Sequence, residues 1–401
     1  MTLTDTLATV LAVWTAVAAL FWLFRGIATE VAARRQPYLR PDDPAELPPT
    51  PPRLTVLVAG KDEAVGIEAC VRSVLSQDYP DFEVILVNDR SGDGTGEIMD
   101  RLAAENPGKV RAFHVTELLA GWCGKNNAMR TGIAHATGEW LLMLDADCRQ
   151  LTPRSFRLAV ARAAATGADL LSVMAAMEPR TFWDKAVQPL LANLLMVWFN
   201  PDFVNDPARP TAYANGAFLM IRRPAYDRIG GHEAVKGEVN EDIHLARIAK
   251  AAGLRLHLTL NGGLYITRMY DDLPRMIRGW SRIFYGSFKS AVPPLVTLLL
   301  LGALSTVPDW AAIAAVALGV SSGWSGPTVT WLLPAVAAGL AVQTLVMARF
   351  LPLAGVSPVY ALLYPLAAAV EAWIMVRTLN NVRLGGGITW RGTTYGPTPG
   401  R

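Results

Sequence analysis

An uncharged, mostly apolar run extends from Thr6 to Phe24, and apolar composition returns after Lys289. Between these ends the chain changes character: short runs rich in Val, Leu and Ile alternate with stretches of helical periodicity. At a rise of about 1.5 Å per residue, the first run nearly spans a hydrocarbon core about 30 Å thick. Trp14 and Trp22 lie within it and Arg25 follows directly. A cleaved signal peptide would carry a basic region before the run and a small-x-small site after it; this run has neither, which predicts a retained anchor. The positive charge follows the span, so the positive-inside rule predicts a cytoplasmic domain after it. Further candidate spans fall at about 291–307, 328–348 and 356–376. The piece from Trp310 to Val320 is short. It either extends the first of these beyond Pro308 or forms a re-entrant or interfacial segment, so three and four crossings both stay open. Arg377, Arg383 and Arg391 favour a cytoplasmic C-terminus.

The middle of the chain reads as alternating strands and helices. Leu54–Ala59, Glu83–Asn88, Val110–Val115 and Trp140–Leu144 are predicted strands. Glu68–Gln77, Glu97–Glu105 and Asn126–His135 are predicted helices. This order predicts a mainly parallel sheet with helices on both faces. The partition that results is a membrane helix over 1–30, a Pro-rich linker over 31–52, an α/β domain over 53–288, membrane helices over 289–380 and a tail over 381–401. Within the domain, Trp183–Phe199 is an apolar helical stretch suited to core burial or to lying on a bilayer.

Composition narrows the function. Hydrophobic residues make up 52% of the 401 and charged residues only 18%, the apolar excess lying at the two ends. The net charge of +3 and the lack of a basic stripe interleaved with aromatics argue against nucleic acid. Cys70, Cys123 and Cys148 are too few, and too far from CxxC spacing, for a disulfide framework or zinc knuckle. No pair of His114, His135, His232, His244 and His257 has metal-ligand spacing.

Ligands bind parallel α/β sheets at the carboxyl ends of the strands, so the residues just after each strand carry the candidate chemistry. The first strand ends at Gly60-Lys61-Asp62-Glu63, the second at Asn88-Asp89-Arg90-Ser91-Gly92-Asp93-Gly94-Thr95, and the fourth at Asp145-Ala146-Asp147. Crowded carboxylates repel and call for a cation. Mg²⁺ or Mn²⁺ suits oxygen ligands, and a diphosphate is its natural companion. The dinucleotide fingerprint GxGxxG is absent, and Gly124-Lys125 is followed by Asn126 rather than the hydroxyl residue of a phosphate loop. Gly121 to Ala128 opens a helix, where Lys125 is either a surface lysine or a partner for phosphate or sugar. Asn240-Glu241-Asp242 precedes another helix. Asp242 there is either a simple N-terminal carboxylate or a general base for an acceptor hydroxyl.

Taken together, these residues resemble the family-2 glycosyltransferases of the GT-A fold, over about residues 54–285. Asp62-Glu63 looks like that family's early nucleotide-contacting acidic pair. Asn88-Asp89-x-Ser91-x-Asp93-Gly94-Thr95 looks like its base and ribose motif, Asp145-x-Asp147 its metal motif, and Glu241-Asp242 its acidic base motif. A narrower resemblance, to hopanoid-biosynthesis-associated membrane glycosyltransferases, rests on Gly121-Trp122-x-Gly124-Lys125, Val204-Asn205-Asp206-Pro207 and Arg268-x-Tyr270-Asp271-Asp272-Leu273. The tail Gly385 to Gly392 is similar to glycosyltransferases acting on carotenoid or other lipid acceptors. The processive Gln-x-x-Arg-Trp motif is replaced by Arg275-Met276-Ile277-Arg278-Gly279-Trp280, which points away from polymer synthesis.

The resemblance implies a GT-A-type, Rossmann-like domain with membrane helices on either side. It implies inverting transfer from a nucleotide sugar, a UDP-sugar by expectation, to a membrane lipid hydroxyl of hopanoid, isoprenoid, glycerolipid or sphingolipid type. The implied catalytic residues are Asp242, Glu241 and Asp147, with Asp145 and Asp147 on Mg²⁺ or Mn²⁺. The implied donor-binding residues are Gly60, Asp62, Glu63, Asp89, Ser91, Asp93, Lys125, Asn126 and Asp145. Arg278, Trp280, Arg282, Trp390 and Arg391 are candidates for the acceptor or diphosphate, or for a structural role at the membrane surface. Transfer to a polyprenyl phosphate is the alternative reaction, and a catalytically silent scaffold the alternative class.

Overall fold

The computed structural model describes residues 2–35, 37–288, 290–384, 388–390 and 393–395, with side chains through Arg383. The chain divides into two compact units. One comprises residues 1–35, 179–194 and 270–386; the other comprises 36–178, 195–269 and 387–401.

The second unit is built on an eight-stranded sheet. In chain order its strands are β1 (Tyr38–Leu39), β2 (Leu54–Gly60), β3 (Phe82–Asp89), β4 (Val110–Val115) and β5 (Trp140–Asp145), then, past β6 (Cys148–Gln150), β7 (Leu170–Val173). After β8 (Ala176–Met177) come β9 (Leu219–Arg222) and β10 (Leu256–Asn261), with β11 (Tyr265–Thr267) last. The spatial order is β1-β10-β7-β9-β5-β2-β3-β4. All pairings are parallel except those of β9, which runs antiparallel to both β5 and β7. A small second sheet, β6-β11-β8, sits beyond the ends of the main one.

The strands form because their runs are continuous in Val, Leu and Ile and both faces are covered. Val56, Val58, Val84, Leu86, Leu142 and Leu144 feed one core, while Leu57, Ile85, Val87, Leu141 and Met143 pack on the opposite face. Each such side chain, fully buried, contributes about 1.5–3 kcal/mol of transfer free energy. The predicted strands and helices are all present, with ends shifted by one or two residues: helices run Ile67–Leu75, Thr95–Glu105 and Gly124–Ile133. Register aligns the strand ends. Gly60 pairs with Asn88, and Ala59 with Asp145, so the loops after β2, β3 and β5 leave the sheet side by side.

The first unit is helical. Leu3–Arg35, Thr328–Ala354 and Pro358–Arg383 are each long and apolar enough to cross a membrane. Val292–Ser305 and Val307–Ser322 together pass the same test but are bent by 47° at the break, giving up to four such spans. The bend accounts for the ambiguity at Pro308, which is the second residue of the later helix. Indole N–H groups tie this unit together: Trp14 donates to the Ala303 carbonyl at 2.7 Å and Trp22 to the Ser305 carbonyl at 2.9 Å. Gln343 donates to Asp309 Oδ2 at 2.8 Å, so that carboxylate among the apolar helices has a partner. The short helix Phe182–Ala186 and residues through Leu194 of the next belong to this unit.

Candidate active site

The loops after β2 and β3 brace each other. Ser91 Oγ accepts from the Asp62 N–H at 3.0 Å, Asp62 Oδ1 accepts from the Gly92 N–H at 2.9 Å, and Asp93 Oδ2 accepts from the Ala64 N–H at 3.0 Å. Asp93 Oδ1 also takes the Thr95 N–H, and Thr95 Oγ1 accepts from the Glu63 N–H at 2.8 Å. Ser91 and Asp93 therefore hold the loops, whatever else they touch. Asp62 and Arg90 sit at φ +56° and +57°, in the left-handed region that non-glycine residues rarely adopt. Such strain persists where surrounding bonds over-determine it, as they do here. Asp89 is buried and held in a two-pronged pair by its neighbour, Arg90 Nε to Oδ1 at 2.8 Å and Nη2 to Oδ2 at 3.1 Å. A Cβ on Gly124 would stand 2.4 Å from Asp89 Oδ2, so only glycine lets that helix start so close. A Cβ on Gly60 would be less crowded, 3.2 Å from Met99 Cε and 3.4 Å from Ala146 Cβ.

Lys125 is the hub of the opposite side. Its ammonium lies 2.6 Å from Asp145 Oδ1 and 2.7 Å from Glu241 Oε1. Burial opposes its charge, yet the charges of Asp145, Glu241 and Asp242 outweigh burial and raise its pKa. Lys125 is thus firmly cationic and joins the Asp145 loop to the start of the Glu241–Ala251 helix. Asp242 lies next to it. Its Oδ2 accepts from the Gly216 N–H at 2.7 Å and its Oδ1 from the Ile243 N–H at 2.8 Å. Burial, and then the charge of Glu241, push the Asp242 carboxyl up to about 7.

Asp147 completes the cluster. Its Oδ1 accepts from Thr267 Oγ1 at 3.1 Å, a contact made because β11 pairs Thr267 with Cys148. Burial raises its carboxyl too, and the charges of Asp145 and Glu63 raise it further. Unbalanced negative charge of this kind suits a divalent cation. Among the described residues no group of three His, Cys, Asp or Glu side chains is gathered to hold a metal alone. Two carboxylates with phosphate oxygens completing the shell is the arrangement such a donor set fits.

Asn126 is placed differently from the expectation of a donor contact. It is fully buried, and its amide donates to the carbonyls of Val235, Lys236 and Glu238 at 2.7, 3.1 and 3.0 Å. It anchors the 235–238 loop that leads to Glu241. Asn205, in a motif of the narrower resemblance, pins β10 through both the N–H and the carbonyl of Leu258. Arg278, Trp280 and Arg282 lie on the helix Leu273–Ser287 of the other unit, Trp280 fully buried beside Phe284. Trp390 lies in a short hairpin strand, and Arg391 falls outside the described residues. Two further residues touch the cluster without belonging to any of the sequence motifs: Gly216 and Thr267. Neither belongs to a local motif; both depend on strand pairing.

Residues 55–230 match the family model of glycosyl transferase family 2. The 4,4'-diaponeurosporenoate glycosyltransferase of Staphylococcus aureus strain USA300 is 22% identical over 259 residues, covering 63% of this chain and 67% of that protein. A solved mannosyltransferase from Pyrobaculum calidifontis, in complex with GDP-Man and Mn2+, is similar with a TM-score of 0.52 at 22% identity, covering 86% of this chain and 99% of that one. At that identity the likeness speaks for the fold, a GT-A-like α/β domain with a mainly parallel central sheet.

Proposed function

We propose that this protein is a membrane-bound inverting glycosyltransferase that moves one sugar from a nucleoside-diphosphate sugar to a lipid hydroxyl. The observation that carries the reading is the Lys125 bridge between Asp145 and Glu241 with Asp242 beside it. It joins the Asp145 loop to the start of the Glu241–Ala251 helix, which supports reading the two acidic motifs as one site.

In this reading Asp62, Glu63 and Asp89 receive the nucleoside at the braced loops. Asp145 and Asp147 would hold Mg²⁺ or Mn²⁺, which when bound would neutralise charge on the diphosphate. Asp242 takes the proton from the acceptor hydroxyl. The freed oxygen attacks the anomeric carbon while the bond to the diphosphate breaks, and the diphosphate leaves with the electron pair. The Gly216 and Ile243 N–H groups orient the Asp242 carboxylate, and Lys125 pairs with the buried Glu241. The helices long enough to cross a bilayer support a lipid acceptor, and the name of the staphylococcal relative supports an isoprenoid-type one. The hopanoid resemblance narrows the acceptor in the same direction. The catalytic unit faces the cytoplasm in this reading, where nucleotide sugars are made.

The test is incubation of membranes bearing the protein with labelled UDP- and GDP-sugars, with and without Mn2+, followed by mass spectrometry of extracted lipid. A metal-dependent, hexose-shifted lipid that disappears in Asp242→Asn supports the proposal. Sugar release with no lipid product, from wild type and variant alike, would overturn it.

A further inference from the structure

Asn88 heads the loop after β3, and both ends of its side-chain amide are engaged within the protein. Its Oδ1 accepts from the Ser91 N–H at 3.2 Å. A backbone N–H can only donate, so the carbonyl end of the amide is fixed on that side, and Nδ2 is the donor toward His114 Nδ1, 3.1 Å away. Nδ1 is then the bare nitrogen of the ring, and Nε2 carries the proton that goes to Asp100 Oδ1 at 2.8 Å. The sheet makes these contacts: β4 sets His114 opposite Asn88, and Asp100 comes from the helix Thr95–Glu105. Gly96 of the same helix leaves the room for them. A Cβ there would stand 2.8 Å from Asn88 Nδ2 and 3.3 Å from His114 Cε1. Ser91 Oγ in turn accepts from the Asp62 N–H at 3.0 Å. An unbroken series of hydrogen bonds thus runs from Asp100 through His114, Asn88 and Ser91 to the loop after β2.

We infer that His114 and Asp100 are positioning residues for donor binding: by fixing the Asn88 amide they set residues 89–94 in the shape that receives the nucleoside. That these residues serve a nucleoside rests on the function proposed above; the hydrogen-bond series itself does not. The side chains of His114 and Asp100 are 40% and 59% exposed, so their pair adds little to global stability, and what it supplies is orientation. Orientation matters because an amide is nearly symmetric in shape. Rotated by half a turn, Asn88 would face the Ser91 N–H with its own NH2 group, donor against donor. The bare Nδ1 of His114 opposes that rotation, since it would then meet a carbonyl oxygen, acceptor against acceptor. Asp100 keeps Nδ1 bare by taking the ring proton at Nε2.

The experiment uses the purified full chain in detergent and needs no turnover. Calorimetry measures binding of UDP and of GDP with Mn2+, and hydrogen exchange follows the Ser91 amide. His114→Ala is expected to weaken nucleotide binding about 2- to 10-fold, the ratio for one lost hydrogen bond, and to speed Ser91 exchange, with little change in thermal unfolding. His114→Asn places an acceptor oxygen where Nδ1 stood and should recover both. His114→Gln places its polar group where Nε2 stood and should recover neither. Asp100→Ala should weaken binding in the wild-type background and add nothing to His114→Ala, because the two residues act in series. Nitrogen NMR shifts, with the His114 signal identified by its loss in His114→Ala, should show Nδ1 bare and Nε2 protonated. Rescue by Gln equal to rescue by Asn, additive effects of the two alanine substitutions, or a ring proton on Nδ1 would overturn the series. Wild-type nucleotide affinity in His114→Ala would overturn its role in donor binding. If neither nucleotide binds the wild type while Ser91 exchange still follows His114, the series stands and the donor reading fails.

Discussion

The backbone N–H of Gly216 donates to Asp242 Oδ2 at 2.7 Å, so the base candidate is aimed by a residue 26 positions earlier in the chain. A Cβ at Gly216 would stand 2.9 Å from Lys125 Nζ and 3.2 Å from Asp242 Oδ2. Gly216→Ala therefore has to displace both. We expect kcat to fall about 10- to 100-fold with the fold intact, since small misplacements of a reacting group have effects of that order. Circular dichroism alongside turnover checks the pair of outcomes; unchanged kcat would remove Gly216 from the site.

Lys125→Met leaves Glu241 buried without its cation. Breaking a fully buried pair costs about 3–5 kcal/mol, but Lys125 and Asp145 are each about a third exposed, so screening brings the expected loss to about 1–3 kcal/mol. Chemical denaturation in detergent measures it. Lys125→Arg, with a planar fork in place of a compact ammonium, should recover stability better than activity.

Asp242 must be ionised to accept a proton, and its folded pKa is raised to about 7 by burial and by Glu241. The log of kcat/KM should therefore rise with pH up to about 7 and level off above it. An unperturbed Asp would place that limb near 4. The readout is a pH profile at saturating metal; a flat profile between pH 5 and pH 8 would exclude Asp242 as the base.

Metal affinity should carry the same sign. Asp147, raised above the ordinary carboxylate range, holds its proton better folded than unfolded, so this group favours the metal-free fold less as pH rises through about 7. Mn2+ must displace that proton. Apparent affinity should weaken about tenfold per unit as pH falls below 7, and the thermal shift produced by Mn2+ should be larger at pH 8 than at pH 6. Isothermal titration of the nucleotide-loaded protein tests this directly.

Asn126→Ala removes three bonds to the 235–238 loop. At about 0.5–1.5 kcal/mol net each, stability should drop by about 2–4 kcal/mol. Hydrogen exchange should rise at residues 235–242. Loss of nucleotide binding with unchanged stability would instead make Asn126 a ligand contact.

What the sequence discloses here is local. The Val- and Leu-rich runs from Leu54 to Leu144 announce parallel strands because both faces are buried, and the acidic residues that follow them mark the strand ends. Lys125 was visible as a residue at a helix start, though only the fold joins it to both Asp145 and Glu241. Gly216 and Thr267 were not assignable. Each reaches the site through pairing: the antiparallel β9 enters the sheet just after Gly216, and β11 sets Thr267 against Cys148. Asn126 misled because a polar residue beside a motif lysine reads as a ligand contact, while its burial depends on a loop more than a hundred residues away. At the two ends the apolar runs are legible in the sequence and the 47° bend is not, since a proline near a helix start and one inside a kinked span look alike in sequence.

The mutual brace between the loops after β2 and β3 has an evolutionary consequence. Its bonds run from Ser91, Asp62, Asp93 and Thr95 to backbone groups of the same two loops. The two loops therefore fix each other's shape through bonds made within residues 62–95. Substitutions elsewhere in the sequence can accumulate while these two loops keep their mutual geometry.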